Sequence, residues 1–181
     1  MIFNSTRLAG AYLIEINKLE DERGFFARTW CQREFEEHAL NPRLVQCNLS
    51  YNKLRGTLRG MHYQAAPYQE AKLVSCTQGS IYDVIIDLRQ DSPTYKEYIA
   101  VTLSAELHNM LFIPEGFAHG FLTLEDETTV YYQMSEFYAP DYARGVRWND
   151  PAFSIQWPAE VQVISARDAN YPDWVTTETG R

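Results

Sequence analysis

Two of the four histidines in the chain stand in short stretches whose residue types suit acid–base chemistry. His62 lies in "RGMHYQ" and His119 in "PEGFAHG", each in or beside a strand-like run. Because imidazole gains and loses a proton near neutral pH, either histidine could be a general base, a metal ligand or a substrate contact. A lone histidine on a strand is also common as packing, so the two stretches alone leave these roles open.

The spacing around the two histidines argues against a metal centre. Pro114, Gly116 and His119 fit the second motif of the cupin barrels, Pro-x-Gly-x-x-His. The first cupin motif needs a His-x-His pair, whereas Gln64 stands two places after His62 and no glutamate follows at ligand spacing. Since a metal usually needs three or more protein ligands, we expect no metal here.

Composition predicts one globular domain that covers residues 1–181, because 45% hydrophobic residues can bury one sizeable core. A formal charge of −8 without a basic block argues against nucleic-acid binding, and an anionic small molecule would need a local basic pocket. No segment approaches the roughly 20 apolar residues of a membrane span, and the start lacks a signal-peptide pattern. We therefore expect a cytoplasmic protein. Cys31, Cys47 and Cys76 are widely spaced, which favours buried free thiols.

Short strand-like runs separated by turn residues must position these histidines. The candidate strands are "AYLIEI", "LVQCNLSYN", "TLRGMHYQ", "AKLVSCT", "SIYDVIIDLR", "YKEYIAVTLS", "HGFLTLED" and "TTVYYQMSEFY". Such spacing favours an antiparallel sandwich or barrel. "CQREFEEHAL" predicts one helix with Phe35 and Leu40 as apolar contacts, and Gly79 with Ser80 predicts a tight hairpin.

Five long stretches resemble the dTDP-4-dehydrorhamnose 3,5-epimerase family. They are "DERGFFARTW", "LRGMHYQ", "AKLVSCTQGSIYDVIIDLRQDSPTY", "LFIPEGFAHGFLTLED" and "FYAPDYARGVRWNDP". The resemblance implies an all-β, cupin-type jelly-roll barrel of antiparallel strands with one or two short peripheral helices. It also implies a homodimer, without metal or cofactor, that inverts C3 and C5 beside the C4 ketone of a nucleotide-diphosphate 4-keto-6-deoxyhexose. A strand such as "AYLIEI" would leave an open edge for dimerisation.

The resemblance assigns the catalytic roles. It makes His62 the base, Asp168 in "SARDANYP" the carboxylate that orients it, and Tyr132 the acid on the opposite face of the sugar. Alternation along the strand places Tyr132 inward and Tyr131 outward. Lys72 matches the cation near the keto oxygen, although a strand lysine is more often a solvated edge residue.

The resemblance also implies a set of substrate contacts. These are Arg23, Arg28, Gln46, Asn48, Arg59, His119 and Arg167. Arginine suits a pyrophosphate because its planar fork donates two parallel hydrogen bonds. Strict alternation sends Arg59 and His62 to opposite faces of their strand, so both roles require a bulge at Gly60 or a strand end there.

Three positions depart from the family pattern around the expected nucleotide site. Arg28 and Ala143 each replace a common glutamate, and Arg167 replaces a lysine. Exchanging carboxylates for a cation changes which base or ribose groups can bind. The sequence therefore leaves the nucleotide open, with CDP- and GDP-linked sugars as alternatives to thymidine.

Three other functions stay open. A monoepimerase that inverts only C3 or C5 would keep the same residues. A metal-dependent cupin enzyme would hold a transition metal, and a non-catalytic cupin would bind the sugar without exchanging its protons. A base, an orienting carboxylate, an acid and a cation together exceed what binding alone requires.

Overall fold

The computed structural model describes residues 1–174, which form two facing β-sheets. From edge to edge, the first sheet contains β1 (Ile2–Ser5), β2 (Tyr12–Glu15), β10 (Met110–Ile113), β7 (Lys72–Gln78), β12 (Thr128–Met134) and β5 (Gln46–Asn52). The second contains β13 (Ala143–Gly145), β6 (Thr57–Gln64), β11 (Phe117–Thr123), β8 (Ser80–Asp87) and β9 (Tyr98–Ser104). This is the predicted cupin jelly roll. The last residues of the predicted domain, 175–181, lie outside the described part.

Smaller elements surround the sheets. β14 (Val163–Ile164) pairs in parallel with β6, whereas β3 (Leu19–Asp21) and β4 (Gly24–Phe26) form a separate antiparallel hairpin. Helix α1 (Gln32–Glu37) and helix α2 (Ala166–Ala169) are both short, and a 3-10 turn covers Pro140–Tyr142. Within residues 1–174, no helix combines the length and apolar character needed to cross a membrane.

Side chains alternate in direction along each strand, so one face of each sheet turns toward the other sheet. Val74 and Val130 from the first sheet pack with Ile85, Leu103 and other apolar residues of the second. Burying each such side chain stabilises the fold by about 1.5–3 kcal/mol. The outer face of the first sheet is covered by α1, where the predicted apolar contacts Phe35 and Leu40 are both buried.

Three local predictions are wrong. Gly79 does not close a hairpin, because β7 pairs with β10 and β12 while β8 pairs with β9 and β11. With a φ of +73°, Gly79 instead turns the chain from one sheet into the other. "AYLIEI" offers no open edge, since β2 lies between β1 and β10. All three cysteines are free, yet only Cys76 among them is buried.

Candidate active site

A cavity of about 430 Å³ lies between the two sheets. Strands β5, β7 and β12 form one wall, and β6 and β11 form the other. Phe121 belongs both to the cavity wall and to the hydrophobic core, so the cavity continues the space that the core fills elsewhere. Predicted site residues that line it are Gln46, Asn48, Arg59, His62, Lys72, His119, Tyr132 and Arg167.

The cavity wall is basic although the chain is acidic. Four cationic side chains line it, Arg59, Lys72, Arg144 and Arg167, against the single lining carboxylate of Glu70 among the described residues. Low-dielectric walls carrying one sign of charge attract a ligand of the opposite sign. This is the local basic pocket that an anionic substrate needs in a chain of net charge −8.

A β-bulge on β6 brings Arg59 and His62 to the same cavity. Arg59 pairs with Phe121 and His62 with His119, so β6 has one more residue than β11 in this interval. Gly60 has a φ of +135°, and a Cβ there would lie 2.5 Å from the Cα of Gly120. Only two facing glycines allow this close approach. The bulge explains how Arg59 and His62 reach the same cavity, although strict alternation would place them on opposite faces of the strand.

His62 and Asp168 form a hydrogen-bonded dyad. His62 Nε2 lies 2.7 Å from Asp168 Oδ1, and Oδ2 accepts the Gly60 N–H at 3.2 Å. Burial raises the pKa of Asp168, but the hydrogen bond and charge of His62 and the Gly60 N–H outweigh it, so the net pKa is lowered. An ionised carboxylate only accepts, so Nε2 carries the proton and Nδ1 keeps the lone pair. Ser165 caps α2 by accepting the Asp168 N–H, which fixes this carboxylate.

A second histidine–carboxylate pair stands beside the first. His119 lies directly opposite His62 in the β6–β11 register, and its Nε2 is 2.7 Å from Asp83 Oδ1. Both side chains are buried, and Asp83 is fully inaccessible. This bond holds the His119 ring in the cavity wall, where it can contact a ligand.

Tyr132 faces the cavity from the other sheet, and Tyr131 points to the opposite side of β12, as alternation predicts. Burial raises the pKa of the Tyr132 phenol, while the charge of Arg59 lowers it by less. The phenol therefore stays protonated at neutral pH and has a proton to give.

Lys72 is buried in an interior strand, which excludes the solvated-edge interpretation. Its side chain is 8% exposed, and β7 lies between β10 and β12. Nζ is 2.8 Å from Glu70 Oε1 and donates to the His62 carbonyl oxygen at 3.3 Å.

The polar residues predicted to hold the substrate are already braced by protein contacts. Arg59 Nε donates to Asn52 Oδ1 at 2.7 Å. Gln46 Oε1 accepts the Tyr138 N–H at 2.5 Å, and Asn48 Nδ2 contacts Met134 Sδ at 3.4 Å. These contacts fix the side chains before a ligand arrives, which reduces the entropy lost on binding.

Arg23 and Arg28 are not brought to the cavity of their own chain. Arg23 lies in the turn of the β3–β4 hairpin, with 84% of its side chain exposed, and pairs with Asp21. Arg28 is 62% exposed and donates to Glu34 at 3.1 Å. Of the three departures from the family pattern, Ala143 and Arg167 line the cavity and Arg28 does not.

Sequence reasoning missed several residues of the site. Asp83 and Glu70 support His119 and Lys72, while Ser50, Tyr138 and Arg144 line the cavity. Period-two alternation from Gln46 and Asn48 could have found Ser50. A lone aspartate inside the apolar run "SIYDVIID" could have found Asp83, because a buried carboxylate needs a partner. Tyr138 and Arg144 lie in loop or edge segments and carry no such signal.

Among residues 1–174, no three His, Cys, Asp or Glu side chains cluster as metal ligands would. His62 and His119 each use Nε2 to bond a carboxylate instead.

The sequence and the fold match known proteins over nearly their full length. The family model described as dTDP-4-dehydrorhamnose 3,5-epimerase matches residues 5–175. A dTDP-4-dehydrorhamnose 3,5-epimerase from Methanothermobacter thermautotrophicus is 46% identical over 172 residues, covering 93% of this chain and 92% of the relative.

Two crystal structures extend this similarity to ligand complexes. A dTDP-4-dehydrorhamnose 3,5-epimerase from Bacillus anthracis with TDP and PPi bound is 40% identical, with a TM-score of 0.92 over 96% of this chain and 99% of that one. A dTDP-6-deoxy-D-glucose-3,5-epimerase from Legionella pneumophila in complex with dTDP-4-keto-L-rhamnose is 36% identical, with a TM-score of 0.86 over 93% and 89%. The chain therefore belongs to the dTDP-4-dehydrorhamnose 3,5-epimerase family.

Proposed function

We propose that this chain, as a single epimerase domain, inverts C3 and C5 beside the C4 ketone of a dTDP-linked 4-keto-6-deoxyhexose. The observation that carries the proposal is the placement of a base and an acid on facing sheets. His62 with Asp168 stands on the β6 wall, and Tyr132 stands on the β12 wall of the same cavity. A sugar ring between them would lose a proton from one face and regain one on the other.

Proton removal falls to His62. Its Nδ1 takes the proton from the carbon beside the ketone, and the ring becomes an imidazolium. Asp168 then stabilises this cation through the 2.7 Å bond to Nε2 and holds the tautomer that leaves Nδ1 unprotonated beforehand. The electron pair of the broken C–H bond moves onto the ketone oxygen as an enolate.

We assign the Lys72 ammonium to the enolate oxygen, because a cation fixed in a partly enclosed cavity stabilises developing negative charge without having to reorganise. His119 bonds Asp83 through Nε2, which leaves Nδ1 to accept a hydroxyl of the sugar. Lys72 is anchored by Glu70, and His119 is anchored by Asp83. Tyr132 then returns a proton to the carbon from the opposite side, since its phenol, with a pKa raised by burial, carries that proton at neutral pH.

The nucleotide diphosphate is assigned to the basic part of the wall. Arg59 and Arg167 supply the forks that suit phosphate oxygens, and Gln46 and Asn48 supply amides. Tyr138, a residue that is 56% exposed, lines the cavity and offers a ring on which a planar base can stack. Relatives named for dTDP sugars favour thymidine over cytidine or guanosine.

A homodimer forms part of the proposal. The family resemblance implies both a homodimer and substrate contacts from Arg23 and Arg28, yet these two arginines lie outside the cavity of their own chain. A dimer in which each chain supplies them to the cavity of its partner would satisfy both implications. The exposed β3–β4 hairpin carries Phe25 and Phe26, with 44% and 71% exposure, as apolar surface for a partner. Light scattering tests the dimer. Mixing Arg23→Ala with His62→Asn protein tests the shared site, since activity restored by mixing requires contributions from both chains.

A cytoplasmic location is also proposed. The three thiols are unpaired, whereas extracellular and periplasmic conditions favour disulfides. Cell fractionation followed by immunoblotting tests this.

The function is tested by incubating the protein in D₂O with 4-keto-6-deoxyhexoses linked to dTDP, CDP, GDP and UDP. NMR should show deuterium entering at both C3 and C5 of the dTDP-linked sugar, with formation of the inverted product. Exchange at only one carbon would instead indicate a monoepimerase. Binding without exchange would indicate a non-catalytic cupin, and activity that tracks bound transition metal in elemental analysis would indicate a metal-dependent enzyme.

A further inference from the structure

The carboxylate of Glu70 is buried directly beside the ammonium of Lys72. Oε1 lies 2.8 Å from Nζ, and the two side chains are 4% and 8% exposed. The other oxygen, Oε2, accepts the backbone N–H of Gln64 at 3.1 Å. Both oxygens are therefore engaged by groups in fixed positions, so this carboxylate is rigidly held at the cavity wall.

Two contacts direct the Lys72 ammonium. An ammonium has three N–H donors. One points to Glu70 Oε1 and another to the His62 carbonyl oxygen at 3.3 Å. The third donor is left for a ligand oxygen within the described site. Without the carboxylate, one weak contact to a carbonyl would remain, and a four-carbon side chain held that loosely samples several rotamers.

The charges around Lys72 make Glu70 its main counter-charge. Among the described residues, the other charged or titratable groups on the cavity wall are Arg59, Arg144, Arg167, His62, His119 and the tyrosines. Asp168 and Asp83 each already bond a histidine. A buried ammonium without a counter-charge loses its proton at a lower pH, since burial and neighbouring cations both disfavour its charged form.

We propose that Glu70 is a positioning residue that holds Lys72 charged and aimed at the ketone oxygen. The inference rests on the proposed function, since it concerns the cation of that reaction. It adds a requirement that the histidine dyad and the tyrosine do not provide, namely a fixed anionic partner for the enolate-stabilising ammonium.

The test compares wild type with Glu70→Gln and Glu70→Asp by measuring kcat and KM for epimerisation of a dTDP-linked 4-keto-6-deoxyhexose from pH 6 to pH 10. Glu70→Gln keeps the shape and an acceptor oxygen but removes the charge. In Glu70→Gln, the decline of kcat at high pH should begin at least about one pH unit lower than in the wild type, so kcat at a given pH on that limb should be about tenfold lower. KM should change less than about threefold. Glu70→Asp keeps the charge, so its alkaline limb should stay near the wild-type position while kcat falls.

A matched control is Glu136→Gln, because Glu136 pairs with Arg43 at 2.7 Å outside the cavity lining. It should leave the pH profile unchanged. A Glu70→Gln profile that superimposes on that of an active wild type would overturn the inference and leave the proposed function intact. Absence of exchange in the wild type would overturn both. If Glu70→Gln does not fold, Glu70→Asp still tests the inference: an alkaline limb that moves down by about one pH unit or more from the wild-type position, although the charge is kept, would contradict the role of the charge.

Discussion

Replacing Asp168 by asparagine tests whether the dyad acts as a unit. The side chain keeps its size, but the carboxylate charge is lost at a position that is 6% exposed. In the wild type this group accepts from His62 at 2.7 Å and from the Gly60 N–H at 3.2 Å. An amide has one acceptor oxygen and one NH₂ group, so it cannot accept both bonds in the same geometry.

The expected loss follows from the bond that the imidazolium would lose. A hydrogen bond to a charged group contributes about 1.5–3 kcal/mol. Because 44% of the His62 side chain is exposed, solvent screens this pair, and we take about 2 kcal/mol. Each 1.36 kcal/mol is a factor of ten, so kcat should fall at least about 30-fold in Asp168→Asn. A wrong tautomer of His62 would add to that loss.

The assay is the initial rate of deuterium incorporation at C3 and C5, followed by NMR. Asp150→Asn is the matched control, because Asp150 is a buried carboxylate that accepts two backbone N–H groups away from the cavity lining. It should lose stability while keeping most of its exchange rate. A folded Asp168→Asn protein with less than about a threefold loss of kcat would refute the dyad mechanism.

Three further outcomes are expected. Tyr132→Phe should reduce product inversion more than deuterium exchange, and Tyr131→Phe should change neither; the reverse pattern would mean that the wrong tyrosine faces the substrate. Gly120→Ala should lower the free energy of unfolding by about 1–3 kcal/mol in urea titrations, because its Cβ would lie 2.6 Å from Met61 Sδ. The lowered pKa of Asp168 stabilises the fold above the unfolded-state pKa of about 3.9 and ceases to do so as pH falls through the folded value. Wild type should therefore lose stability more steeply than Asp168→Asn below about pH 4, and parallel curves would contradict this.

Features that depend on strand periodicity were predictable from sequence. Alternation identified Tyr132 rather than Tyr131 as the inward residue, and it located the conflict between Arg59 and His62 that the bulge at Gly60 resolves. Short strands at near-regular spacing also indicated an antiparallel sandwich or barrel, and the family resemblance implied the jelly roll. These inferences hold because side-chain direction in a strand is fixed by the backbone, whichever strands pair.

Features that depend on pairing between distant strands were not predictable. A glycine between two strand runs reads as a hairpin, yet Gly79 joins strands of different sheets. Asp83 meets His119 only because β8 and β11 are neighbours. Arg23 and Arg28 were assigned to the substrate through the resemblance, and the fold of one chain keeps them on its surface. Local patterns carry no information on which sheet or which chain supplies a contact.

In the proposed reaction, His62 removes a proton from the carbons that flank the ketone. The most direct test follows deuterium at C3 and C5 separately, with wild type and His62→Asn protein at equal concentration in D₂O. Asparagine keeps a polar side chain on β6 but has no titratable nitrogen. Circular dichroism and dTDP binding establish that the variant is folded and its cavity intact. We expect exchange at both carbons in the wild type and a loss of at least about 100-fold at both in His62→Asn. Exchange at the wild-type rate by the folded variant would contradict it.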